Sequence, residues 1–102
     1  MTREFDALII GNGEFPQHPG VLELMKEISY VVCCDGGANE YIGRGGLPDA
    51  IIGDGDSLSE ENKLKYAHLI HYVADQESND QTKAVEWLMA HGKKRIAIVG
   101  AC

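Results

Sequence analysis

Five short apolar runs, spaced along the chain and separated by helical patterns, limit the fold more than any other feature. They are 5-FDALII-10, 30-YVVCC-34, 49-DAIIG-53, 69-LIHYVA-74 and 95-RIAIVG-100. Most lack the in–out alternation of a half-exposed strand, which suits strands buried on both faces of a parallel sheet. Helical segments are expected between them at 20–28 (GVLELMKEI), 36–43 (GGANEYIG), 59–68 (SEENKLKYAH) and, most strongly, 79–91 (NDQTKAVEWLMAH). In the last, Ser78 or Asn79 gives a start signal with Gln81 three residues after Ser78; Ala84, Val85, Leu88 and Met89 form the apolar stripe, and Gly92 is the stop. Alternating β and α elements predict an α/β fold: an open, mostly parallel, Rossmann-like sheet of five strands with helices on both faces. At 102 residues there is room for a single domain with a modest core.

Composition narrows the function by exclusion. The net charge of −7 leaves little to neutralise a phosphate backbone, so no nucleic-acid partner is expected. No apolar run is long enough to span a membrane, and acids in the first six residues argue against a secretory address. Cys33 and Cys34 are adjacent on a strand and point to opposite faces, and with Cys102 they make an odd set without CxxC spacing, which fits a reducing cytoplasm. Both major nucleotide fingerprints are missing: 11-GNGEFP-16 lacks the third glycine of GxGxxG, and there is no GxxxxGK[ST]. His18, His68, His71 and His91 form no HExxH motif and are expected at the surface. Trp87 is expected to pack.

The acids are better placed. Strands two, three and four end in Asp35, Asp54 and Asp75, and the first ends in Gly11-Asn12-Gly13. Ligands of open α/β sheets bind beyond the carboxyl ends of the strands. Asp also favours strand ends because it bonds its own backbone there, so no single position decides the matter; the set does. Asp54 and Asp56 flank Gly55 in 53-GDGDS-57, and residues i and i+2 of extended chain share a face. They can reach one cation, and magnesium typically takes one or two carboxylates together with phosphate oxygens and water. A calcium EF-hand is excluded, because Leu58 and Ser59 stand where that loop needs a ligand and a glycine. In 75-DQESNDQTKA-84, Asp80 and Lys83 share the first turn of the strong helix, where free N–H groups favour anions. Lys83 there points to a phosphate or to an ion pair with Asp80.

The set DGGAN (35–39), PDAIIGDGDS (48–57) and DQESNDQTKA (75–84), in this order and spacing, closely resembles the catalytic domain of thiamin pyrophosphokinase. The resemblance covers nearly the whole chain. It implies transfer of a pyrophosphoryl group from ATP to the hydroxyl of thiamin with magnesium, giving thiamin diphosphate and AMP, in a cytoplasmic enzyme that dimerises at full length. Asp54, Asp56 and Asp80 would be the metal acids and would act in catalysis with Lys83. Asn12, Gly13, Asp35, Gly36, Gly37, Asn39, Ser57 and Gln76 would contact nucleotide or substrate. The family continues past a strand like 95–100 with a Gly-Gly-Arg-x-Asp-His segment and a β-sandwich that helps to enclose thiamin. Residues 1–102 are therefore expected to be the catalytic domain alone. The alternatives are a pyrophosphokinase for another hydroxymethyl substrate such as a pterin, or a non-catalytic module that binds nucleotide or metal.

Overall fold

A computed structural model of the chain describes residues 5–53, 58–72 and 80–100, with the backbone alone at Tyr72 and Asp80. Its order is β1 (Ala7–Ile10), α1 (Pro19–Glu27), β2 (Val31–Cys34), α2 (Asp35–Gly43), β3 (Ala50–Gly53), α3 (Glu60–Lys65), β4 (Ile70–Tyr72), α4 (Asp80–Ala90) and β5 (Ile96–Val99). The five strands form one sheet in the order β4-β3-β2-β1-β5. Every pairing is parallel, as the continuous apolar runs predict.

The order explains how helices come to lie on both faces. From β1 to β4 the chain steps in one direction, so right-handed crossovers put α1, α2 and α3 on one face. The step from β4 back to β5 reverses direction and puts α4 on the other face, across β1, β2 and β3. Two cores result. Leu8, Ile10, Val31, Cys33 and Ile51 pack with Phe15, Met25 and Ala38 on the first face. Ala7, Ile9, Val32, Cys34, Ala50 and Ile52 pack with Ala84 and Leu88 on the second. Cys33 and Cys34 thus point to opposite faces, both buried and neither in a disulfide. Burial pushes the Cys33 thiol far above its ordinary range.

Helix boundaries follow local chemistry. α1 begins at Pro19, one residue before the expected start, because proline at the first helical position gives up an N–H that has no partner there. The Nδ1 atom of His18 accepts the Gly20 N–H at 3.0 Å and closes that end. The segment 59–68 is not one helix: α3 ends at Lys65, and a single tight turn over Ala67–Leu69 leads into β4. Ser59 caps α3 through its Oγ, with Glu60 and Glu61 in the first turn and Lys63 and Lys65 in the last, as the helix dipole prefers.

α2 and α4 both end in a Schellman motif. For α2, the N–H groups of Gly45 and Gly46 donate to the carbonyls of Ile42 and Tyr41, with Gly45 at φ +93°. For α4, Gly92 and Lys93 donate to Met89 and Leu88, with Gly92 at φ +82°, so Gly92 is the stop that its position implies. Ala84 and Leu88 are buried and Val85 packs against them. Met89, in contrast, is 62% exposed, which corrects its place in the expected stripe: 100° further round the helix from Leu88, it has turned away from the sheet. Trp87 packs on this face. Its ring is stacked with that of His91 at 4.0 Å and near those of His71 and Tyr30. All four histidines are exposed.

Candidate active site

The carboxyl ends of the strands are drawn together by backbone contacts. Beyond β1, the Gly11 N–H donates to the Val99 carbonyl at 2.8 Å and the Gly13 N–H to the Gly100 carbonyl at 2.7 Å. The turn after β1 is thereby tied to the end of β5. α2 closes on the same point: a side chain at Gly37 would run into the Gly11 carbonyl oxygen and lie 2.7 Å from that of Ile10. The second glycine of 36-GG-37 is therefore a condition of helix–strand packing. The glycines of 36-GGAN-39 suggest a turn where a ligand could approach the backbone; the segment is instead the start of α2, and at Gly37 the space is taken by β1.

Asn12 locks this junction. Its Oδ1 accepts the N–H groups of Gly36 at 2.8 Å and Gly37 at 3.3 Å, so a side chain from the β1–α1 turn caps a helix 24 residues away. Asp35 is the first residue of α2 rather than the end of β2. It is 2% exposed, and its Oδ1 also accepts the Gly36 N–H, at 2.9 Å. A carboxylate in the first turn is favoured by the helix dipole. Two side-chain oxygens thus occupy two of the N–H groups, those of Gly36 and Gly37, that a helix N-terminus otherwise offers to an anion. Asn39, one turn on, accepts from the Ser59 N–H and from Asn62 Nδ2, each at 3.0 Å. It joins α2 to the start of α3, just beyond residues 54–57.

Of the expected site residues, Asn12, Gly13, Asp35, Gly36 and Gly37 meet at one sheet edge, and Asn39 lies toward α3. Lys83 is in the first turn of α4, on the opposite face of the sheet from α2. Asp54, Asp56, Ser57 and Gln76 lie outside the described residues, as does Asp75, and of Asp80 only the backbone is described. Residues 54–57 follow Gly53, the last residue of β3. Among the described residues there is no cluster of three His, Cys, Asp or Glu able to hold a metal. Sequence reasoning missed the clamp of Gly11 and Gly13 onto Val99 and Gly100 and the capping role of Asn12. The Gly-Asn-Gly turn facing a helix that begins Asp-Gly-Gly was the available signal.

Comparison with known proteins agrees with this architecture. The family model for the thiamin pyrophosphokinase catalytic domain matches residues 21–102. Among solved structures, the yeast thiamin pyrophosphokinase is 33% identical with a TM-score of 0.68, covering 86% of this chain and 32% of its own. The Candida albicans enzyme is 29% identical with a TM-score of 0.70, covering 84% and 32%. The Geobacillus thermodenitrificans enzyme, at 23% identity and a TM-score of 0.73, covers 94% and 46% and shares the fold. The chain spans about a third to a half of the length of these structures. No curated protein matches it by sequence comparison. With the match running from the first helix through β5 on a sheet of this order, the chain belongs to the thiamin pyrophosphokinase catalytic-domain family.

Proposed function

We propose that this chain is the catalytic α/β part of a longer thiamin pyrophosphokinase, transferring a pyrophosphoryl group from ATP to thiamin. The observation that carries the reading is that the family match, over residues 21–102, takes in all three acid-bearing motifs. In the proposed reaction the thiamin hydroxyl oxygen bonds to the β-phosphorus of ATP. The bond from that phosphorus to the α–β bridging oxygen breaks, and AMP leaves with the oxygen. Asp35 or Asp80 orients the hydroxyl and takes its proton. Lys83, near the α4 N-terminus, offers a cation to the triphosphate. Asp54, Asp56 and Asp80 would hold magnesium through their carboxylate oxygens, and the metal would supply charge neutralisation to the phosphates. The reaction is assigned to the cytoplasm and to a homodimer. Among the described residues no helix is long and apolar enough to cross a membrane.

The test uses the longer enzyme with ATP, magnesium and thiamin. AMP and thiamin diphosphate should form in equal amounts, and Asp54→Asn or Asp56→Asn should cut turnover by roughly two orders of magnitude or more without unfolding the protein. Release of ADP, or near-normal turnover in either variant, would overturn the assignment. Residues 1–102 alone should fold, bind magnesium–nucleotide weakly and make no thiamin diphosphate, because the walls that would enclose thiamin belong to the rest of the enzyme. Multiple turnovers from residues 1–102 alone would refute that division of labour.

A further inference from the structure

A groove of about 360 Å³ runs between α1 and the end of α2. We infer that it is a binding site for a small anionic aromatic molecule, separate from the proposed reaction site. Its apolar wall is Phe15, Leu22, Met25 and Tyr41, and its rim carries Lys26 and Arg44. The volume lies in the range of small-molecule pockets, and an apolar wall with a few polar groups is their usual composition.

Three observations set the ligand class. First, the chain carries −7, yet both charged residues lining this groove are cations. An anion is the complement, and an aromatic body matches the wall. Second, the ion pairs of these cations among the described residues are exposed and local, Lys26 with Glu23 at 3.8 Å and Arg44 with Glu40 at 3.2 Å. Exposed pairs of this kind contribute little, so an incoming anion exchanges one carboxylate for another at small cost. Third, the groove is preformed. The Schellman turn fixes the backbone at Arg44, and the Arg44 guanidinium lies 4.5 Å from the centre of the Phe15 ring. Phe15 and Met25 are buried, so the floor does not need to collapse or open.

The probe is 1-anilinonaphthalene-8-sulfonate, an aromatic anion, added to the chain with amide NMR and emission as readouts. Expected is saturable binding at one site, with shifts confined to the Phe15, Leu22–Lys26 and Tyr41–Gly46 amides. Arg44→Glu and Lys26→Glu, both at exposed positions, should each weaken it roughly tenfold, the loss of one charge-assisted contact. The uncharged analogue N-phenyl-1-naphthylamine should bind at least about tenfold more weakly for the same reason. Leu22→Trp, checked for folding by circular dichroism, should fill the groove and abolish binding. No binding, equal binding of the neutral analogue, shifts centred on α4, or binding unmoved by Arg44→Glu and Lys26→Glu would each overturn the inference. So would broadening of the groove amides that grows with protein concentration in the absence of probe, which would make the occupant a second copy of the chain.

Discussion

The two edges of the sheet use the same residue type in opposite ways. At the amino edge, Asp6 and Asp49 precede β1 and β3 and act as staples. Asp49 Oδ2 accepts the Val31 N–H at 2.7 Å while the Asp49 N–H donates to the Val31 carbonyl at 2.7 Å, closing the β2–β3 ladder at its start. Asp6 Oδ2 accepts the N–H groups of Lys94 and Arg95 at 3.1 and 3.0 Å and closes β1 against β5. At the carboxyl edge the stapling falls to glycine backbone and to asparagine: Gly11 and Gly13 on β5, Asn12 on α2, Asn39 on α3. Asp35 sits buried in the cap that Asn12 completes. An acid beside a strand is therefore no sign of function by itself; which end of the strand it occupies, and whether other groups already hold the chain there, separates the two uses.

Substitutions can break this contrast, and the largest effect is expected at the carboxyl edge. Gly37→Ala places a methyl group against the carbonyls of β1, where backbone and not a flexible side chain must yield, and should cost about 3 kcal/mol in urea unfolding. A loss below about 1 kcal/mol would mean that α2 can slide off β1. Asn12→Ala comes next, at about 1–2 kcal/mol, the value of a helix cap. Asn12→Asp keeps an oxygen acceptor and should recover most of that loss. If it does not, the amide nitrogen of Asn12 matters more than the cap. Asp49→Ala, which leaves the Val31 N–H without its 2.7 Å acceptor, should cost about 1 kcal/mol. An equal or larger cost than at Gly37 would reverse the order of the two edges.

The smallest effect is a pH dependence. Hydrogen bonds from the Arg95 and Lys94 backbone, with the Arg95 guanidinium 3.6 Å away, hold the Asp6 carboxyl below its ordinary value of 3.8. A carboxyl depressed in the folded state adds stability above its unfolded pKa and loses it as pH falls through the folded one. The difference in melting temperature between the parent chain and Asp6→Asn should therefore be constant at neutral pH and shrink below pH 3.8. A difference that persists unchanged into stronger acid would show that the staple works through shape and not through charge.

Much of this arrangement is legible in the order of the residues, and the remainder is hidden for identifiable reasons. Parallel strands buried on both faces show as unbroken apolar runs, so β1, β2 and β3 and the opposed Cys33 and Cys34 can be read directly. β5 shares the pattern, yet Ile98 is 40% exposed, because α4 crosses β1 to β3 and leaves this edge strand uncovered. A helix's lateral reach is a tertiary property that periodicity does not contain. The same limit hides the work of Asn12, whose partners are 24 and 25 residues away; its type suggests polarity, but only topology supplies the N–H groups. The motif spacing identifies the family, while the acids at 54, 56 and 75 lie outside the described residues, so their arrangement rests on sequence alone.

The strand order also bears on how such a chain reaches its fold. β1 pairs on one side with β2, but its other neighbour is β5, and Asp6 meets Arg95 across 89 positions. Until β5 arrives, one side of β1 is an open parallel edge made of Ala7, Leu8, Ile9 and Ile10, all fully buried in the finished protein. Closing so long a stretch costs entropy before any contact rewards it, which makes folding slow compared with that of a helical bundle of the same size. During that delay the exposed strand is a template for pairing with other chains. Newly made copies are therefore most at risk of aggregation between the formation of β1–β2 and the docking of β5, and the Asp6 staple acts on the last step of that passage.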